Sequence, residues 1–363
     1  MNITIDATPL LVRSAGVKNY LYYWVAHLRR LAGRDNIRTV PHLRSLGALD
    51  HNASIASPLR TWTGLGALAL SNYTPLPVLD WATRGADVFH ASVLVRRPPR
   101  RARLTATIHD MTAWTMPELH PSANRRAEAT FAELARRADR LIAVSQCTKD
   151  DAVRVLGLDP AKITVIHSGV ADAFFDPAAS AIAGIRAKYS LERPFVLYIG
   201  TIEPRKNVDT LLDAFDALPR DVRESHDLVL AGPMGWAAAE TRGRLAKARY
   251  LGYIPEPDLA PLTAAATAFA YPSLYEGFGF PVAQAMAAGT PVVTSNVSSL
   301  PEIAGDTALL IDPRSRDDLR DALARLLTSP DLRAGLASRA RIRAEAYRWS
   351  RCAAESLAFF RSL

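Results

Sequence analysis

The chain has 363 residues, comfortable for two domains and long for one. Its composition is 49% hydrophobic and 22% charged, which allows a large core and argues against disorder. Two cysteines far apart in sequence, Cys147 and Cys352, argue against a disulfide framework or a zinc cluster and fit a reducing cytosol.

The N-terminus MNITIDATPLL alternates like a strand and lacks the basic-then-apolar order of a signal peptide. No run approaches the roughly 18 apolar residues of a membrane span. Asn2–Ala7 is read as a strand and Val17–Leu31 as an amphipathic helix rich in aromatics. Pro41–Arg84 is read as a variable loop and helix region. Asp87–Ala91 and Leu104–His109 are predicted strands, Asn124–Arg137 a helix with a charged face, and Arg140–Ser145 and Ile163–His167 further strands. A break at Ala171–Leu191 precedes a second series. It comprises strand Phe195–Ile199, helix Val208–Leu218, strand Leu228–Ala231, helix Thr241–Ala248, strand Tyr250–Leu251, helix Asp258–Ala265 and strand Ala266–Tyr271. Asp331–Arg361 is predicted helical. Two βαβ series predict two parallel sheets covered by helices, with a ligand at the carboxyl ends of the strands.

The net charge of +8 sits mostly in the first half: residues 1–180 hold 22 Lys and Arg against 15 Asp and Glu, and residues 181–363 hold 22 against 21. Its densest point is Arg96, Arg97, Arg100, Arg101 and Arg103. This is either a solvated loop or a patch attracted to an anionic surface, such as membrane lipid or a phosphate-bearing acceptor. With no helix-turn-helix, zinc finger or aromatic-basic module beside it, nucleic acid is the weaker option.

Three segments carry candidate chemistry. In Tyr271–Ser295, Gly277 and Gly279 punctuate a loop bearing Glu276. Pro281 suits the start of a helix, Gln284 falls in its first turn, Gly289 ends it, and Thr290–Thr294 reads as the next strand. A helix N-terminus approached by glycines suits phosphate. In YIGTIEPRKNVDTLLDAF, a strand delivers Arg205 and Lys206, two adjacent cations suited to a diphosphate or simply a surface basic pair. In ATIHDM, His109 ends a strand, with Asp110 read as orienting the loop.

The run EGFGFPVAQAMAAGTPVV closely resembles the signature of retaining glycosyltransferases of family 4, which have the GT-B fold, and the other two segments fit that family's spacing. The resemblance implies two Rossmann-like domains facing across a cleft: an acceptor-side domain over 1–180, a nucleotide-sugar-binding domain over 181–345, and a C-terminal helix over 346–363 crossing back to the first. It implies that Glu276 contacts the donor sugar, that Arg205 and Lys206 hold its diphosphate in place of a metal ion, and that His109 faces the sugar. It places Gly16, Gly232, Tyr253, Gly277, Phe278, Gly279, Gln284, Ser299 and Leu300 around the donor, with Tyr253 equally readable as a core or surface aromatic. Ser145 and His167 are read as structural. Two departures stand out. Gln284 replaces a ribose-binding glutamate, and Ser14-Ala15-Gly16 replaces paired glycines. An amide can accept from one ribose hydroxyl and donate to the other, without the charge-assisted component.

The resulting expectation is a metal-independent, retaining hexosyltransferase without a cofactor. It acts from a nucleotide diphosphate sugar, GDP-mannose first and UDP-glucose or another UDP-hexose next, on a glycan or lipid-linked acceptor. Its expected location is cytoplasmic, or peripheral on the inner face of the cytoplasmic membrane. A disaccharide synthase or phosphorylase on the same fold and a noncatalytic nucleotide-sugar or glycan binder are the alternatives.

Overall fold

Short runs of β-branched and aromatic residues form the strands of a computed structural model that describes residues 1–14, 16–120, 122–236 and 239–363. The first unit comprises Met1–Gly169 and Trp349–Leu363, and the second Val170–Arg348.

In the first unit β1 (Asn2–Asp6), β2 (Asn36–Val40), β3 (Val88–Ala91), β4 (Arg103–Ile108), β5 (Arg140–Ala143) and β6 (Ile163–Val165) form a parallel sheet in the order β2-β1-β3-β4-β5-β6. In the second, β7 (Phe195–Ile199), β8 (Asp227–Ala231), β9 (Arg249–Gly252), β10 (Ala268–Tyr271), β11 (Val292–Ser295) and β12 (Leu309–Ile311) form another, in the order β12-β11-β10-β7-β8-β9. The central strands are buried on both faces, as helix-covered parallel strands must be. In this second sheet the order reverses between β7 and β10. The carboxyl ends of the strands flanking such a reversal are the usual ligand position in open α/β sheets.

Helix α1 (Gly16–Leu31) buries Tyr20, Trp24 and Leu28 at four-residue spacing. It packs on the terminal helix Trp349–Arg361, where the Trp24 indole N–H donates to Ser356 Oγ at 2.9 Å and Phe360 lies 5.9 Å from the Trp24 ring. Trp24, Trp349 and Phe360 are fully buried, each such side chain contributing roughly 2–3 kcal/mol of transfer free energy.

Pro41–Arg84, expected as a loop and helix region, contains two helices, α2 (Pro58–Tyr73) and α3 (Val78–Ala82). Several other elements differ from the sequence expectation. Strands β2 and β12 and the helix Arg316–Thr328 were not expected: β2 is an edge strand of sequence NIRTV and β12 has three residues, so neither presents a clear apolar run. The expected helix Asn124–Arg137 is part of Ser122–Arg137, and Ala15 of the expected glycine turn lies outside the described residues. The expected helix Asp331–Arg361 is two helices, Pro330–Ala344 and Trp349–Arg361, separated by a 3₁₀ turn and an extended Arg348. Tyr347 causes the break: its buried hydroxyl donates to Ile303 O at 3.1 Å, and its carbonyl accepts the Val170 N–H at 2.6 Å. The first boundary falls at Gly169/Val170 rather than at 180/181, because Phe174 is buried in the second unit, where its turn packs on the helices Glu256–Ala265 and Phe280–Ala288. The second falls at Arg348/Trp349 rather than at 345/346.

A Cβ on Gly169 would lie 2.3 Å from Trp349 Cδ2 and 2.6 Å from its Cα. The docking of the terminal helix therefore depends on a glycine there. Gly169→Ala should lower unfolding free energy by about 1–3 kcal/mol in urea titration, the range for a forced overpacking. Trp349→Ala should remove the fit from the other side, at a cost of about 3–5 kcal/mol.

Candidate active site

Two loops flank the reversal of strand order in the second unit. After β7, Pro204–Lys206 forms a 3₁₀ turn closed by Asn207 in the left-handed region at φ 58°. Asn207 Nδ2 holds that backbone by donating to Pro272 O (3.0 Å) and Pro313 O (2.7 Å). After β10, Ser273–Gly279 leads into the helix Phe280–Ala288. The Leu274 N–H donates to Arg205 O at 2.9 Å, so the loops brace one another.

The loops bring Arg205, Lys206 and Glu276 together in a buried cluster. Lys206 Nζ donates to Glu276 Oε1 at 2.6 Å and to the Tyr271 hydroxyl at 2.8 Å. Arg205 Nη1 lies 3.1 Å from Glu276 Oε2 and donates to Tyr275 O at 2.8 Å, while Nη2 bonds Glu203 Oε1 at 2.8 Å. The Ser273 hydroxyl adds a third donor to Glu276 Oε1 at 2.7 Å. Two cations thus face two carboxylates. Burial disfavours the Glu276 carboxylate, but Lys206 and Arg205 together outweigh it and hold its carboxyl at about 2.

The rest of the loop fixes the Glu276 backbone. Its N–H donates to Ser298 Oγ (3.0 Å), and its carbonyl accepts from Ser299 Oγ (2.9 Å). Gly279 caps the following helix at φ 92°, and a Cβ there would stand 2.8 Å from Leu300 Cδ2. Gly279 and Leu300 are therefore a matched pair that brings the helix's N-terminal end, with its positive dipole, beside the cluster. Gly277 lies in the same turn. The Phe278 ring is buried against Phe280 and Tyr347.

Other expected positions lie further out. Gly232 directly follows β8 at φ 134°, where a Cβ would meet Gly200 O at 2.1 Å; its glycine requirement comes from this close backbone approach. Tyr253 follows β9 and is half-buried. Gln284 is the fifth residue of its helix, one place beyond the expected first turn, because the helix starts at Phe280; it is half-buried.

His109 and Gly16 belong to the first unit. His109 follows β4 with its ring 4.8 Å from Tyr20, edge to face. Burial lowers its pKa to about 4 despite the pull of Asp110, so it is neutral at pH 7 and can donate or accept a hydrogen bond. Asp110 Oδ1 accepts from the Thr112 N–H and hydroxyl, a local turn that shapes the loop. Neighbouring His90 is locked between Thr105 and Thr107 hydroxyls, each at 3.0 Å. Gly16 is exposed at the start of α1, and a Cβ there would meet no protein atom within 4 Å. Ser145 caps the helix Gln146–Leu156, a structural role.

The first unit also holds a cavity of about 520 Å³ at the ends of β1 and β2, under α2 and α3. Its walls include Thr4, Asp6, Arg38, His42 and Leu68. Thr4 Oγ1 and Arg38 Nε there have no protein partner. Asp6 accepts from the Ser92 and Thr8 hydroxyls, and burial raises its carboxyl above the usual range against those bonds.

Glu203, Tyr271, Ser273 and Ser298 were missed by the sequence reading. Glu203 and Ser273 lie within three residues of predicted site residues. Ser298, at φ 56°, is adjacent to the predicted Ser299, but nothing in the sequence marks it as the partner of the Glu276 N–H.

A family model described as Glycosyltransferase Family 4 matches residues 15–174, and one described as Glycosyl transferases group 1 matches 184–343. An "O-antigen chain mannosyltransferase B" from Escherichia coli is 34% identical over 292 residues, spanning 78% of this chain and 77% of the relative. A sucrose-phosphate synthase from Thermosynechococcus elongatus aligns with TM-score 0.76 at 22% identity, over 100% of this chain and 98% of that structure. The Anabaena protein HepE, in complex with UDP and glucose, gives 0.75 at 19% identity over 100% of both. The fold is that of the GT-B glycosyltransferases. Within them, the chain belongs to glycosyltransferase family 4.

Glu276 is pinned below its ordinary value of 4.5, so its pairing stabilises the fold fully above about pH 4.5 and is lost as pH falls toward 2. Urea unfolding should show stability falling across that window, with this pair contributing roughly 3 kcal/mol. Glu276→Gln should be less stable at pH 7 and fall less steeply with acid.

Proposed function

We propose that this glycosyltransferase moves mannose from GDP-mannose, with retention and without a divalent cation, to a mannose-bearing glycan or lipid-linked acceptor in polysaccharide assembly. The observation that carries the reading is the Arg205–Lys206–Glu276 cluster at the reversal of strand order, in a chain 34% identical to an O-antigen mannosyltransferase.

The cluster is a charge-exchange device. A donor diphosphate approaching the helix Phe280–Ala288 competes with Glu276 for Lys206 and Arg205. As the carboxylate yields them, it becomes free to accept hydrogen bonds from the sugar's hydroxyls. The cations stay with the phosphate and stabilise the charge that grows as the glycosidic C–O bond breaks. The acceptor hydroxyl attacks from the face the phosphate leaves, and the leaving phosphate oxygen takes its proton. Stereochemistry is retained without a carboxylate nucleophile. Neutral His109 of the first unit can donate or accept a hydrogen bond with a sugar hydroxyl, and Gln284 grips the ribose as an amide. The cavity with Thr4 and Arg38 takes the acceptor's terminal sugar.

A thermal-shift screen of nucleotide sugars tests the donor: GDP-mannose and GDP should raise Tm and UDP-glucose should not. A UDP preference would overturn it in favour of the UDP-hexose alternative. With a mannosyl acceptor, the product should carry the donor's α configuration, and activity should survive EDTA. Lys206→Ala should lower kcat/KM by roughly 10²–10³, the scale for losing one stabiliser of transition-state charge. Leu68→Trp, which fills the cavity, should raise acceptor KM while leaving the GDP-induced shift in place. Donor binding with no transfer to any acceptor would favour the noncatalytic reading.

A further inference from the structure

The helix α2 has two apolar faces, and the fold uses one. Gly64, Leu68 and Ser71 face inward, and a Cβ on Gly64 would meet the Leu11 and Pro41 side chains at 2.9 Å. Leu59, Trp62, Leu70 and Tyr73 lie on the opposite side, within an arc of roughly 80° at 3.6 residues per turn. They are exposed, Trp62 by 76% and Tyr73 by 68%. Leu76 and Trp81 (67% exposed) continue the apolar surface past the end of the helix. Trp62 and Trp81 are costly residues to leave in water, and scattered single exposures would not share one stripe.

The charge around this stripe is predominantly positive. No acidic residue occurs between Asp50 and Asp80. Arg60 lies on α2 itself, and Arg84 follows α3. The loop carrying Arg96 and Arg97 is tied to the end of α2: the Arg96 guanidinium sits 4.8 Å from the Tyr73 ring centroid, the Arg96 N–H donates to Asn72 Oδ1 at 2.9 Å, and Arg97 Nη1 donates to Thr74 O at 2.7 Å. Asp80 is engaged by the Arg100 N–H at 2.9 Å. Arg60, Arg84, Arg96, Arg97 and Arg100 are all exposed.

We propose that α2, with Trp81 and the Arg96–Arg97 loop, is an interfacial segment that docks the first unit onto an anionic lipid surface. A 16-residue helix is about 24 Å long. No helix among the described residues is long and apolar enough to cross a membrane. An amphipathic helix lying in the interface needs neither: its apolar stripe enters the headgroup–acyl boundary while arginines contact lipid phosphates. Trp and Tyr with Arg at the rim match that boundary, where one end of the side chain is apolar and the other wet. A polyanionic glycan would satisfy the arginines and leave the stripe exposed. A purely apolar partner would leave the arginines buried without counter-charge. The lipid surface satisfies both. This inference is independent of the donor and acceptor assignments.

The test is co-sedimentation with large unilamellar vesicles of phosphatidylcholine, with and without phosphatidylglycerol, using the full chain. The wild type should pellet with the anionic vesicles and weakly with the neutral ones, and release as salt rises from about 0.1 to 1 M, where the Debye length shrinks from about 10 to 3 Å. Trp62→Ser/Tyr73→Ser/Trp81→Ser should lower partitioning by roughly tenfold or more. Its melting temperature should stay unchanged, since these side chains are exposed. Vesicles with brominated acyl chains should quench part of the tryptophan fluorescence. Trp62→Phe/Trp81→Phe should still bind but lose that quenching, although four of the six tryptophans remain. Equal pelleting with neutral and anionic vesicles would overturn the proposal. So would unaltered binding by the triple serine variant, or a vesicle-independent dimer that the same substitutions dissociate.

Discussion

The buried pairing of Glu276 with Lys206 and Arg205 is the constraint on which the second unit's site depends. A carboxylate in that position is tenable only because two cations and the Ser273 hydroxyl meet it. The cations in turn are held by Glu203 and Tyr271. Removing any one member leaves another buried charge without its counterpart, so the cluster resists piecemeal change. A ligand carrying negative charge can replace Glu276 without leaving either cation exposed to a low-dielectric interior. In the proposed mechanism, this same arrangement is the one a donor diphosphate exchanges.

Strand order explains why these residues meet. Arg205–Lys206 and Glu276 are seventy positions apart in sequence, yet β7 and β10 are neighbours in the sheet and both loops leave from their carboxyl ends. Asn207 in the left-handed region and Gly279 as a helix cap turn the two loops toward one another. The first unit supplies different chemistry: a desolvated, neutral His109 held against Tyr20, and a cavity whose polar atoms are set among apolar walls.

Much of this was legible in the sequence, for identifiable reasons. Short apolar strand runs and the βαβ alternation revealed the two sheets, and glycine and proline marked the loop and helix around Glu276. The cluster's principal members carry charge, so they stood out. What stayed hidden was what depends on tertiary context. Edge strands β2 and β12 are too polar or too short to show a period. The break at Tyr347 arises from its bonds to Ile303 and Val170 rather than from any helix breaker. Ser298 and Tyr271 act through atoms that any serine or tyrosine carries. The two-faced helix α2 defeated the periodic reading because its outward face is apolar as well. That is also why its surface stands apart from the rest of the fold.

The charge-exchange account is tested most directly by a crystal structure with GDP bound, without divalent cation. It predicts that a β-phosphate oxygen lies within hydrogen-bond distance of Lys206 Nζ and Arg205, and that Glu276 has left the 2.6 Å contact with Lys206 seen here. A bound GDP whose phosphates lie elsewhere, with the Glu276–Lys206 pair intact, would contradict it.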